Sequence, residues 1–279
     1  MGADMRRFWI ALIAVSTIAF SQIASAADLP LKAPAAPSPP AFTWTGCYVG
    51  LNAGWGGARN ALSTTVDPQS NMNGTARALI TYGGAAILDG DGFTGGGQVG
   101  CNWQIPQPQS GIPVVFGVEG DFNWIDGDAS DTRNVAVGQA TGLSVDDIGM
   151  DWFATIRGRI GWAFDRILIY GTGGVAFTKL DISKSWSWSF IDGCPIVGGL
   201  NQCHVGGDNS FRTGFTIGGG VEWAFLEHWS TKAEYLYSDF GDVTYRTCNI
   251  GFTPPCSQTA DHKVRSTLQV IRVGVNYKF

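Results

Sequence analysis

The residues of this chain whose types could do chemistry are few: six cysteines, three histidines and one glycine-rich run in 279 positions. Cys194, Cys203 and His204 lie close enough to suggest a metal, because thiolate and imidazole are zinc ligands. Their spacing is not of the C-x-x-C kind, and an even number of cysteines in an exported chain points to disulfides instead. Gly90-Asp91-Gly92-Phe93-Thr94-Gly95 satisfies G-x-G-x-x-G, which cradles a pyrophosphate only between a strand and a helix. Here a loop precedes it and a glycine-rich strand follows, so no cofactor is expected. His204, His228 and His262 fall in loops or a turn, with no nucleophile and carboxylate at fixed spacing. Catalysis is not expected. A net charge of −5 without a long basic run argues against nucleic acid.

The elements around these residues read as strands. The chain is 15% charged and 44% hydrophobic, and its glycines number 39. That composition suits one large all-β domain. Alternation of period two recurs eight times. Val114, Phe116, Val118, Phe122 and Trp124 share one face, with Glu119 and Asp121 on the other. Ile156, Ile160, Trp162 and Phe164 oppose Arg157 and Arg159, and Ile217, Val221 and Trp223 oppose Glu222. Tyr235 opposes Lys232 and Glu234, and Ile271, Val273, Val275, Tyr277 and Phe279 oppose Arg272 and Lys278. The other three segments begin near Gly46, Phe93 and Ile167.

Each segment is about ten residues, the length a tilted membrane strand needs. Alternation alone fits a soluble sandwich equally well. Three further features favour a membrane barrel. Aromatic residues gather at segment ends, as in interfacial girdles. Long connectors, near 56–92, 125–150, 178–210 and 238–266, alternate with short ones. Glycines on the polar face suit a narrow lumen. The expected fold is an all-β, eight-stranded antiparallel transmembrane barrel with short periplasmic turns and long extracellular loops. After residue 20 no apolar run is long enough for a transmembrane helix.

An eight-stranded bore is narrow enough for side chains to fill. The inner face collects acidic Glu119, Asp121, Asp151, Glu222 and Glu234 against basic Arg157, Arg159, Arg212, Lys232, Arg272 and Lys278. That near-balance predicts a lumenal network of partnered charges. A two-residue turn at Asp165-Arg166 pairs Phe164 with Ile167, and a three-residue turn at 226–228 sets Glu222 opposite Lys232. Six cysteines allow fifteen pairings. The expected set is Cys47 with Cys101, Cys194 with Cys203, and Cys248 with Cys256; the first joins neighbouring strands and sets Trp55 opposite Phe93.

Arg6-Arg7, the apolar run Phe8 to Phe20 and Ser21 to Ala26 form a signal peptide cut after Ala26. Residues 27–43 carry a proline-rich periplasmic spacer, and 44–279 form the barrel.

WTGCYVGLNAGWG at 44–56, GGGQVGCNWQ at 95–104, YGTGGVAFTK at 170–179, KAEYLYSDFG at 232–241 and RVGVNYKF at 272–279 add a resemblance. With the signal peptide, Ala27-Asp28-Leu29-Pro30 and the spacer, the chain resembles the small outer-membrane barrels of alphaproteobacteria. These are called outer-membrane immunogenic or porin-family proteins and are similar to OmpA-type eight-stranded barrels. The chain departs from them at Cys47 and Cys101, where the family commonly has aromatic residues. The resemblance implies residence in the outer membrane of a Gram-negative cell, among lipid and lipopolysaccharide. It also implies assembly by the barrel-assembly machinery, which would read Gly274, Tyr277 and Phe279. The expected role is a non-catalytic, surface-exposed envelope component. The alternatives are a narrow porin for small solutes, and ligand or adhesin binding by the loops.

Overall fold

The computed structural model describes residues 42–70, 72–105, 111–187, 203–249, 256 and 258–279. The described chain forms ten strands and one helix. In order these are β1 (Gly46–Val66), α1 (Gly74–Gly83), β2 (Ala86–Ile105), β3 (Val114–Ile125), β4 (Ala129–Val137) and β5 (Ala140–Gly149). Then come β6 (Trp152–Phe164), β7 (Ile167–Ser187), β8 (Cys203–Ala224), β9 (Trp229–Asn249) and β10 (Thr259–Lys278).

Eight of the strands close a ring, β1-β2-β3-β6-β7-β8-β9-β10, in which every neighbour is antiparallel and β10 returns to β1. Closure leaves no unpaired edge within the bilayer, where exposed backbone groups could not be satisfied. The register pairs Phe164 with Ile167, Glu222 with Lys232 and Trp55 with Phe93.

Around the lower half the outward side chains are apolar. Leu51, Ile156, Ile160, Ile217, Ile271 and Val273 are each between 48% and 74% exposed. A contiguous apolar belt of that kind is not tolerated in water. Aromatic residues border it. Trp103, Trp162, Trp223 and Trp229 lie toward the short turns, and Trp55, Phe93, Trp124 and Phe211 toward the other rim. The short-turn end faces the periplasm.

Six strands run for 20 to 22 residues. That is about twice the spanning length expected from the alternation. Much of what reads as long loops is therefore barrel wall continuing past the membrane. The reason is an inversion of the pattern. On β1, Tyr48 and Asn52 point inward beside outward Leu51 and Trp55; further up, Ala58 and Leu62 are buried and Arg59 and Ser63 are exposed. Above the outer girdle both faces change character, because the surroundings change from lipid to water.

This outer wall consists of two four-stranded sheets. One is β2-β1-β10-β9 and the other is β4-β5-β7-β8. Above Thr94, β2 has no ladder to β4, and the β8–β9 ladder is interrupted between Val205 and Phe215. A bulge at Phe240-Gly241 contributes to that second seam. Gly241 has φ +72°, and the extra residue shifts the register against β10 between Arg265 and Thr267. Such a conformation favours glycine, and an unpaired extra residue is what defines a bulge. Leu236 and Ser238 are buried before the bulge, and Val243 and Tyr245 after it, so the inward parity flips.

Two disulfides are described. Cys47–Cys101 joins β1 to β2 near the periplasmic rim, directly opposite in register, and Cys248–Cys256 closes a loop at the outer end of β9. Cys194 lies outside the described residues. Removing the Cys47–Cys101 bridge is expected to lower stability by about 2 to 4 kcal/mol, because it closes a long loop of the unfolded chain. Urea melts of wild type and of a Cys47→Ala/Cys101→Ala variant, both without reductant so that the other bridges stay closed, measure it.

Candidate functional site

The charged inward residues converge in one layer across the lower bore. β3 brings Glu119 and Asp121, β6 Arg157 and Arg159, β8 Glu222, β9 Lys232 and Glu234, and β10 Arg272. Their side chains are at most 3% exposed. Four carboxylates meet four cations, so the layer is neutral as a unit.

Each cation is spent on several acceptors. Arg157 donates from Nη2 to Glu119 at 2.5 Å and Asp121 at 2.9 Å, from Nη1 to Glu234 at 3.0 Å, and from Nε to Thr155 at 2.9 Å. Arg272 donates to Glu234 at 2.6 and 2.9 Å and to Asp121 at 3.2 Å through both terminal nitrogens. Lys232 donates to both oxygens of Glu119 at 2.8 Å. Arg159 donates to Glu222 at 2.7 Å and to the Tyr48 hydroxyl at 2.9 Å, with its guanidinium 3.9 Å from the Tyr170 ring centroid. Such multidentate pairing is what a buried charge requires to offset its desolvation.

The neutral groups of the layer are missing from the sequence-based list. Tyr48 donates to Glu119 at 2.5 Å and Tyr170 to Glu234 at 3.0 Å. Ser230 and Asn276 donate to Glu222, and Gln98 links Asn276 to Asn52. Their inward parity would have found them, whereas their residue types alone do not.

Five charged positions differ from the sequence reading. Glu222 and Lys232 are register neighbours, but Lys232 reaches Glu119 and Glu222 takes Arg159. In so narrow a bore the tips of long side chains meet across the axis, and lateral neighbours are no closer. Asp151 is exposed at the outer end of β6, Arg212 pairs with Asp208 outside the layer, and Lys278 sits at the periplasmic mouth. The histidines differ too. His228 lies in a turn, whereas His204 and His262 are buried on β8 and β10. The G-x-G-x-x-G run lies wholly within β2.

Apolar layers flank the charges. Below, Trp44 is buried with Val115, Ala163, Leu168, Tyr170 and Ala224, and its indole donates to the Asp165 carbonyl at 3.0 Å. Phe42 packs on Trp44 edge-on, beneath the Arg166 and Lys278 cations. Above, Leu88, Ile148, Phe153, Leu180, Val264 and Leu268 belong to one buried cluster filling the bore. Helix α1 covers the outer end: Ala76, Leu79 and Ile80 pack with Val66, Trp186 and Ala260. The Asn73 side chain accepts from the Ala76 amide at 2.8 Å. That bond caps the helix N-terminus by satisfying one of its free amides. Gly274 is buried beside the layer, while Tyr277 and Phe279 face outward at the periplasmic rim, Tyr277 against Trp229.

Comparison with known proteins agrees with this architecture. The chain is 33% identical over 266 residues to a 31 kDa outer-membrane immunogenic protein of Brucella melitensis, covering 93% of this chain and 95% of that one. It is 27% identical to a 22 kDa outer membrane protein of Rhizobium leguminosarum, over 75% and 71% of the two chains. Among solved structures, the outer membrane protein OprG from Pseudomonas aeruginosa aligns at 12% identity with a TM-score of 0.43, over 84% of this chain and 97% of that chain. The model for the outer membrane protein beta-barrel domain matches residues 12–279, and the chain belongs to that family.

Proposed function

We propose that this protein is a non-catalytic, closed outer-membrane barrel that serves as a surface-exposed component of the envelope and displays its two-sheet outer wall to the surroundings. The observation that carries this reading is the stacking of a neutral, fully paired charge layer between two apolar layers. Its carboxylates are all held by cations, the opposite of a general base poised to accept a proton. The likeness to proteins named outer-membrane immunogenic proteins supports the surface role.

On this reading residues 1–26 are the export signal, the proline-rich stretch after them is a periplasmic spacer, and lipid with lipopolysaccharide surrounds the belt. Gly274, Tyr277 and Phe279 present the signal to the assembly machinery. Liposome swelling tests the closed state. Vesicles carrying the refolded protein are expected to swell in an isotonic pentose solution no faster than empty vesicles. Swelling at a rate proportional to protein content would establish the narrow porin instead.

A further inference from the structure

Above the apolar layer the inward side chains turn polar again, well outside the membrane belt. Thr64 on β1, Asp146 on β5, Lys184 on β7, His204 on β8, Thr247 on β9 and His262 on β10 are all buried. Ile80 of helix α1 lines the same small space as Lys184, Trp186, His204, Thr247 and His262. His262 is held on both sides, with Thr64 Oγ1 2.6 Å from Nδ1 and Thr247 Oγ1 2.8 Å from Nε2, and it stacks on Tyr245 at 5.1 Å. His204 is 2% exposed, lies edge-on to Trp186, and has no hydrogen-bond partner at either ring nitrogen among the described residues.

We propose that His204 and His262 form an acid-operated latch for helix α1: while both are neutral the helix seats over the outer mouth, and protonation drives it off.

Among the described residues, a new positive charge has no free carboxylate to meet. Asp146 faces the chamber but already pairs with Lys184 and with Arg133 at 2.5 Å. Arg133 also holds Asp131 on β4; Asp261 on β10 turns outward to Arg246. Arg77 of α1 is bound to the carbonyls of Pro68, Ser70 and Met72. The Tyr245 hydroxyl faces Asp146 electrostatically but has no hydrogen-bond partner among the described residues. A proton on His262 therefore adds to the charge of Lys184 and of His204, and a proton on His204 is opposed by burial.

Helix α1 is placed to transmit this. It packs on Val66 and Ala260 from one outer sheet and on Val135, Val137 and Ala140 from the other, so it ties together two sheets that are separated by seams. The chain leaving the helix rests on the latch itself: a Cβ on Gly84 would collide with Thr64 Oγ1, the hydroxyl that contacts His262.

The direction follows from burial. Burial holds His204 down at about 4; burial first, then Lys184 and His204, hold His262 at about 3. Because both values lie below the ordinary ~6.5, the closed state is fully favoured above about pH 6.5 and loses ground as pH falls through that value toward 4. At pH 5 the opening equilibrium is shifted about thirtyfold for each histidine.

Hydrogen exchange of residues 74–84 in the refolded full chain, corrected for intrinsic rates, measures that shift between pH 7.5 and 5. In wild type these amides are expected to open at least thirtyfold more at pH 5, while strand amides at 154–160 are unchanged. His204→Phe/His262→Gln is expected to abolish the rise, and His204→Phe alone to shrink it by removing one of the two titrating rings. Gly84→Ala is expected to show the open-state exchange already at pH 7.5. A flat wild-type profile overturns the proposal, as does a full rise in the double variant. Should the double variant already be open at pH 7.5, His204→Phe alone decides: a smaller rise than wild type supports the latch and an unchanged one overturns it.

Discussion

Arg157→Met is expected to destabilise the barrel by about 3 to 5 kcal/mol, because it strips one cation from three carboxylates that have no water to turn to. Glu119, Asp121 and Glu234 each lose a charged donor. Arg272 and Lys232 cannot replace it, because their own nitrogens are already engaged. The same logic predicts rescue. Lys232→Met alone leaves Glu119 short of a cation, and Glu119→Gln in the same chain restores neutrality, so the double variant should be more stable than either single one. The pairing matters: Glu222→Gln should not rescue Lys232→Met, although the two positions face each other across the β8–β9 ladder. Urea unfolding of the refolded variants in detergent, arranged as double-mutant cycles, gives the coupling energies.

Ile160→Arg is expected to cost about 2 to 4 kcal/mol and to impair assembly, because a guanidinium at this point of the belt must enter hydrocarbon. Ile160 is 48% exposed and pairs with Phe116 and Gly171, on the outward face one step above the Trp162 rim. A substitution at Gln139, in the two-residue turn between β4 and β5, should leave assembly intact. The mobility shift between unheated and boiled samples in gels reads out folding. An Ile160→Arg barrel that folds in bilayers as wild type does would mean that the outward face is not the lipid face.

The spanning half of the molecule is legible in the sequence because lipid outside and charge inside impose the sharpest possible alternation. Segments such as Trp152 to Phe164 place their charges inward without reference to any other strand. The outer half is not legible in the same way. From Ala58 to Val66 the buried positions still alternate, but they now hold Ala58, Asn60, Leu62, Thr64 and Val66 against outward Arg59, Ala61, Ser63 and Thr65. A barrel wall in water resembles a soluble sheet, and the phase that marks a membrane strand reverses. Gly241 adds a parity flip that residue types do not announce. For the same reason His204 and His262 read as loop residues although each occupies an inward strand position.

Within the site, membership of the charge layer follows from inward parity, whereas its pairings do not. Which cation meets which carboxylate depends on how far each strand is staggered around the closed ring, a property of the whole barrel and of no single hairpin. Lys232 therefore bypasses its register partner Glu222 for Glu119 on the far wall, and Tyr48 and Tyr170 enter the network as donors.

The central claim is that side chains fill the bore from Trp44 through the charge layer to helix α1. Current across a planar bilayer containing the refolded wild-type barrel at neutral pH tests it most directly. Baseline current with at most brief, irregular openings is the predicted result. A large, steady, ohmic conductance per inserted barrel would contradict it.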